Sequence, residues 1–161
     1  MMNAFETLIS DFAEKAGLSL QTVKDGSVDL VVDGIDVSVQ YRPDNDDCVL
    51  FTLPLDDTEP DDRMARRALE LSANGAGTGG HFLGIKEGMF VLSSVAQLGG
   101  LSAEDFAERL LALAAATRRV AEALALAVAE GVAADEEAKG PTSFPAADGA
   151  EGGSSFDAIR V

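Results

Sequence analysis

The most constraining stretch of the chain runs from residue 27 to 42, SVDLVVDGIDVSVQYR. Val28, Leu30 and Val32 alternate with Ser27, Asp29, Val31 and Asp33; Ile35, Val37, Val39 and Tyr41 alternate with Asp36, Ser38, Gln40 and Arg42. A strict period of two puts one set on a buried sheet face and the other on a wet one. Asp33-Gly34 stands between the halves, the dipeptide that best tolerates positive φ in a two-residue hairpin turn. After Pro43-Asp44-Asn45-Asp46-Asp47 a third strand is predicted from Cys48 to Leu53, ended by Pro54, which lacks a ladder donor. Three strands in antiparallel meander follow from this region alone.

The flanking segments change period. Phe5, Leu8, Ile9, Phe12 and Ala16 recur at helical spacing, with Asn3 and Glu6 placed for a capping box and Gly17 as a stop. After Pro60, Met64, Ala65, Ala68, Leu69 and Leu71 form a second helical stripe that begins at Asp61-Asp62 and closes at Asn74-Gly75. The run Gly75-Ala76-Gly77-Thr78-Gly79-Gly80 then predicts a flexible loop, followed by a hairpin of Phe82–Ile85 and Met89–Val95 around Lys86-Glu87-Gly88. Ser102 and Asp105 open a last helix, predicted from Ala103 to about Glu130, with Phe106, Leu110, Leu113, Ala114, Thr117, Val120, Leu124 and Val128 on its stripe. Such a helix is about 40 Å long, more than a small sheet needs. The expected fold is α+β, an antiparallel five-stranded sheet with three helices in the order α-β-β-β-α-β-β-α. Residues 1–130 form the domain, and 131–161 read as a flexible acidic tail rich in Gly, Ala and Ser, with Phe144, Phe156 and Ile159 among its few large apolar residues.

Composition narrows the function classes. Twelve Lys and Arg stand against 28 Asp and Glu, a formal charge of −16, which argues against nucleic acid or an anionic membrane as partner. A hydrophobic share of 47% is too high for a disordered acidic chain. A single cysteine, Cys48, excludes an internal disulfide and a thiolate metal cluster and fits a reducing compartment. No apolar run reaches the length of a membrane span. The start, MMNAFETLISDF, is acidic where a secretory signal is basic, so a cytoplasmic location is expected.

Catalytic and metal signals are weak. His81 is the one histidine and has no accompanying nucleophile or carboxylate motif, so a loop or strand-end role is expected. GAGTGG lacks the Lys-Ser/Thr end of a Walker loop and sits between a helix and a strand, the reverse of a dinucleotide fingerprint. Asp44, Asp46 and Asp47 lack the glycine and distant Glu of a calcium loop; with Asp56, Asp57, Glu59, Asp61 and Asp62 they read as solvated charge. No catalytic residue, metal or cofactor is expected. Val31, and Val49 or Leu50, fall out of phase with the buried sets, and an apolar strip left outside points to association.

The order of elements resembles the class I type III secretion chaperones, the Tir chaperone family. The resemblance covers about residues 3 to 130 and rests on FETLISDFAEKAGLSL, on LVVDGIDVSVQY with VLFTLPL, and on the run from ELSANGAGTGGHF through LSAEDFAERLLAL. It implies a non-enzymatic homodimer that binds the extended N-terminal segment of a secreted effector, keeps it soluble and presents it to the export ATPase. By position the effector groove would take Phe5, Leu8, Ile9 and Phe12 with Leu30, Val32, Val37 and Val39, with half or more of these expected to be core rather than contact residues. The dimer interface would take Met64, Ala65, Ala68, Leu71, Leu83, Ile85 and Val91. The negative charge would keep an unloaded chaperone from aggregating. The residues by themselves also fit an α+β small-molecule-binding or regulatory domain without catalysis, and, further behind, an enzyme built on His81.

Overall fold

The computed structural model describes residues 2–19, 26–55, 58–73 and 75–138. The expectations for Asp56, Asp57, Asn74 and the tail beyond 138 lie outside these residues. Eight elements follow in the expected order: α1 (Ala4–Ala16), β1 (Ser27–Val32), β2 (Ile35–Arg42), β3 (Asp47–Thr52), α2 (Asp62–Ser72), β4 (Phe82–Lys86), β5 (Met89–Gln97) and α3 (Ala103–Ala138). The strands form one antiparallel sheet in the order β1-β2-β3-β5-β4, so β1 and β4 are its edges.

Local chemistry fixes the turns and helix ends. Asp33 and Gly34 both have positive φ, 52° and 78°, and so do Glu87 and Gly88, at 53° and 80°. Positive φ at both central residues is what a two-residue turn needs to match the twist of its strands. The second hairpin is therefore tighter than expected, with Lys86 inside β4. Asn3 and Glu6 form the reciprocal capping box of α1, and Gly17, at φ 66°, closes the helix. Asp61 caps α2 by accepting from the Met64 N–H at 2.8 Å.

All three helices cover one face of the sheet. Leu30, Val37, Val39, Cys48, Leu50, Leu92 and Ala96 point into a core closed by Phe5, Leu8 and Ile9 of α1, Met64 and Ala68 of α2, and Phe106, Leu110, Leu113, Val120 and Leu124 of α3. Phe5 stacks on Tyr41 and Phe12 meets Phe106 edge-on, both with ring centroids 5.3 Å apart. In the centre the Thr52 and Thr117 hydroxyls lie 2.7 Å apart, fully buried. Thr117 also donates to the Leu113 carbonyl at 2.8 Å, so Thr52 is the donor of the pair and ties β3 to α3.

Three expectations change. The final helix, expected to end at about Glu130, runs on to Ala138, because Gly131 is accommodated within it. The glycine run is a packed turn rather than a flexible loop: Gly80 N–H bonds to the Gly75 carbonyl at 2.8 Å, the Thr78 hydroxyl donates to the same carbonyl at 3.3 Å, and Thr78 is wholly buried. Asp47 is not solvated charge. It opens β3 opposite Arg42 in register and is buried there.

The buried hydroxyl chain predicts an asymmetry. Thr117→Val leaves the Thr52 donor buried without an acceptor and costs about 1–3 kcal/mol. Thr52→Val costs less, since Thr117 still donates to Leu113, and the double variant costs less than the sum. Urea unfolding of the three variants checks this.

Candidate functional site

One face of the sheet is used up by the helices; what remains for a partner is the two edges, the outer face and the outer sides of the helices. β1 pairs with β2 alone among the described strands, which leaves one side of its backbone without a strand neighbour. Its outward Val31 is 72% exposed, while Leu30 is buried and Val32 half-buried. Val49, out of phase like Val31, is also partly exposed on the outer face, opposite Val95 on β5. Leu50 instead belongs to the core.

Of the eight residues expected to form an effector groove, Phe5, Leu8, Ile9, Leu30, Val37 and Val39 are buried, and only Phe12 and Val32 retain partial exposure. The cause is α1 itself, which lays its apolar stripe onto Tyr41 and Phe106 and is held at its end by an ion pair between Lys15 and Glu104. In the single chain the space between α1 and the sheet is filled. Phe12, Val32 and the β1 backbone are the parts of that region a partner can reach.

The expected dimer residues are brought together more closely. Ala65 and Ala68 of α2 and Leu83 and Ile85 of β4 line one apolar cleft of about 320 Å3, with Leu69, Ser72, Gly84 and Phe90. Leu69 is 73% exposed and Ile85 57% exposed. Met64 is fully buried, and Leu71 is packed against the core. Val91 stands opposite Gly84, and so on the sheet face away from Leu83 and Ile85. Leu69 and Phe82, both well exposed, were absent from the expected interface. The spacing Ala65-Leu69 would have signalled the first, since residues four apart share a helix face.

The titratable groups are engaged structurally. Arg42 grips Asp47 bidentately, its Nε and Nη2 donating at 2.7 and 2.6 Å, and Gln97 adds a third, longer bond. These donors, the Arg42 guanidinium first, hold the Asp47 carboxyl below its ordinary range. Burial pushes the Cys48 thiol up to about 11, so it is not a thiolate at neutral pH. His81 sits against α3, where burial lowers its pKa and a contact with the Ala112 backbone opposes that shift. Among the described residues no group of three or more His, Cys, Asp or Glu could hold a metal ion. None of their helices is long and apolar enough to cross a membrane.

The family model of the Tir chaperone protein (CesT) matches residues 7–121. The chain belongs to that family. Its fold recurs in solved structures of low sequence identity. A chain of the HopA1–SchA chaperone–effector complex is 20% identical, with a TM-score of 0.58 over 74% of this chain and 94% of that one. A chain of the complex between the Yersinia pestis type III secretion chaperone SycH and a fragment of YscM2 is 17% identical, with a TM-score of 0.54 over 70% and 96%. A chain of the ExoT–SpcS complex of Pseudomonas aeruginosa is 18% identical, with a TM-score of 0.54 over 72% and 96%. No curated protein matches this family member at a significant level.

Asp47 makes the family member's stability depend on acid. A carboxyl whose pKa is lowered by folding contributes stability above its unfolded value, about 3.9, and that contribution disappears as pH falls through the lower folded value. The stability gap between the wild type and Asp47→Asn therefore narrows from pH 6 towards pH 2. Urea midpoints measured across that range check it.

Proposed function

We propose that the protein is a homodimeric type III secretion chaperone that binds the extended N-terminal segment of an effector and keeps it soluble and secretion-competent. The observation that carries this reading is the β1 edge, open on one side and flanked in sequence by half-buried Val32, in a chain of the Tir chaperone family. An extended polypeptide adds to such an edge through main-chain hydrogen bonds, while alternate side chains enter whatever apolar recesses lie beside it. Phe12 and Val32 are the members of the expected groove available for that contact. Structural relatives that contain a chaperone and its effector support the reading.

The α2–β4 cleft is the surface proposed for the second copy. Ala65 and Ala68 keep the α2 backbone accessible, and Leu69 and Ile85 present apolar area that a monomer leaves in water. A dimer seated there leaves both β1 edges free, so each copy can take part of one long client segment. The charge of −16 keeps the unloaded particle soluble and favours clients with cationic side chains near the edge. The protein acts in the cytoplasm, without catalysis, and presents its client to the export ATPase.

Isothermal titration with N-terminal peptides of candidate secreted proteins tests the reading. Binding is expected to weaken about tenfold or more, a change of at least 1.4 kcal/mol, in Val32→Asp, with the fold retained by circular dichroism. Sedimentation is expected to show a dimer that Ile85→Asp dissociates. No peptide binding by the wild type would contradict the chaperone reading; a monomeric wild type would contradict the dimer.

A further inference from the structure

β4 (Phe82–Lys86) is the second open edge of the sheet, and β5 is its one strand neighbour among the described residues. Every residue of it except Leu83 is exposed, Phe82 at 68% and Ile85 at 57%. An open edge is a template for another strand, and proteins ordinarily guard it with charge, proline or a bulge. β4 has no proline, and its ladder with β5 runs without a bulge from Phe82–Ser93 to Lys86–Met89. Its one charge, Lys86, leans back across the sheet, with its ammonium 5.3 Å from the centroid of the Phe51 ring on β3. The edge is unguarded.

The hairpin turn decides which backbone groups face that edge. Lys86 and Met89 flank the two-residue Glu87-Gly88 turn and so exchange both of their main-chain hydrogen bonds. Alternation along the ladder gives the same bonds to Gly84 with Val91 and to Phe82 with Ser93. Leu83 and Ile85 therefore turn their N–H and C=O groups to the open side. Among the described residues no loop or cap bonds to those groups.

We propose that two copies of the chain join by pairing their β4 strands antiparallel across a twofold axis at Gly84, which makes one sheet of ten strands, five from each copy. The inference deepens the homodimer reading given above and rests on it. The strand selects a second copy because it is complementary to itself. With Gly84 on the axis, Leu83 faces Ile85 of the second copy, and the outward backbone groups of both pairs are satisfied within the strand. On the outer face Phe82 then stands opposite Lys86 and diagonal to Gly84 of the second copy, where an aromatic ring covers a bare edge glycine. A Cβ on Gly84 would meet nothing within 4 Å, and its φ is not positive, so nothing in its own chain calls for a glycine there. Charge agrees with this choice of edge. β4 carries no acid, whereas β1 has Asp29 in mid-strand, which a second copy would bring beside its own equivalent. Pairing at β4 also leaves the two β1 edges at the far ends of the joined sheet, open to clients.

Sedimentation equilibrium and amide hydrogen exchange of the full chain test this. Ile85→Ala and Ile85→Pro both give up most of the isoleucine side chain. Proline alone also removes the outward N–H, a group the β4–β5 ladder does not use. The dimer dissociation constant is expected to rise about tenfold or more from Ile85→Ala to Ile85→Pro, with an unchanged circular dichroism spectrum. In the wild type the Leu83 and Ile85 amides are expected to exchange slowly while the chain is dimeric and rapidly on dilution to monomer. A wild-type dimer in which these two amides exchange as fast as unpaired ones overturns strand pairing and leaves the homodimer standing. Equal dissociation constants for the two folded variants overturn it in the same way. A wild type that is monomeric at every concentration overturns both the pairing and the homodimer.

Discussion

One-sided cover of the sheet governs this molecule. α3 lies across β1, β2, β3 and β5, and its Phe106, Leu110, Leu113 and Val120 complete the core that the inward strand residues begin. α1 and α2 attach to the same side, α1 through Tyr41 and Phe106, α2 through α3 and β4. With every helix committed to one face, both sheet edges remain without a strand neighbour among the described residues. The Thr52–Thr117 pair sets the registration of this cover, because a buried hydroxyl chain is satisfied in one position only.

Much of this architecture was legible in the sequence. The alternation from Ser27 to Arg42 and the Asp33-Gly34 turn define the first hairpin without reference to anything else, and the capping box at Asn3 and the Ser102 side chain, which accepts from the Asp105 N–H, mark two helix starts. What escaped was set by contacts between distant segments. Asp47 reads as one more loop acid until register places it opposite Arg42. The glycine run reads as slack until Thr78 is seen buried and Gly79 is seen against α3, near Arg119. The length of α3 escaped because a glycine usually weakens a helix, whereas Gly131 is held under Arg63.

The site was legible in part. Periodicity identifies which residues are apolar on one side of an element, but an apolar stripe looks the same whether it meets its own sheet or a guest. Hence Phe5, Leu8, Ile9, Leu30, Val37 and Val39 turn out to be core, and Phe12 and Val32 alone of that set remain reachable. Of the α2–β4 set, Ala65, Ala68, Leu83 and Ile85 line one cleft, while Val91 lies on the other face because its register partner is Gly84. Exposure of Leu69 depends on where α2 rolls against α3, which no local pattern records.

Family membership and an open β1 edge together make client binding by strand addition the central claim. Amide hydrogen exchange of the protein with and without a bound effector N-terminal segment tests it most directly. Slowed exchange confined to β1, with the β2 and β3 amides at the sheet centre unaffected, is the predicted pattern. Exchange in β1 that does not change on saturation with the segment would contradict the account.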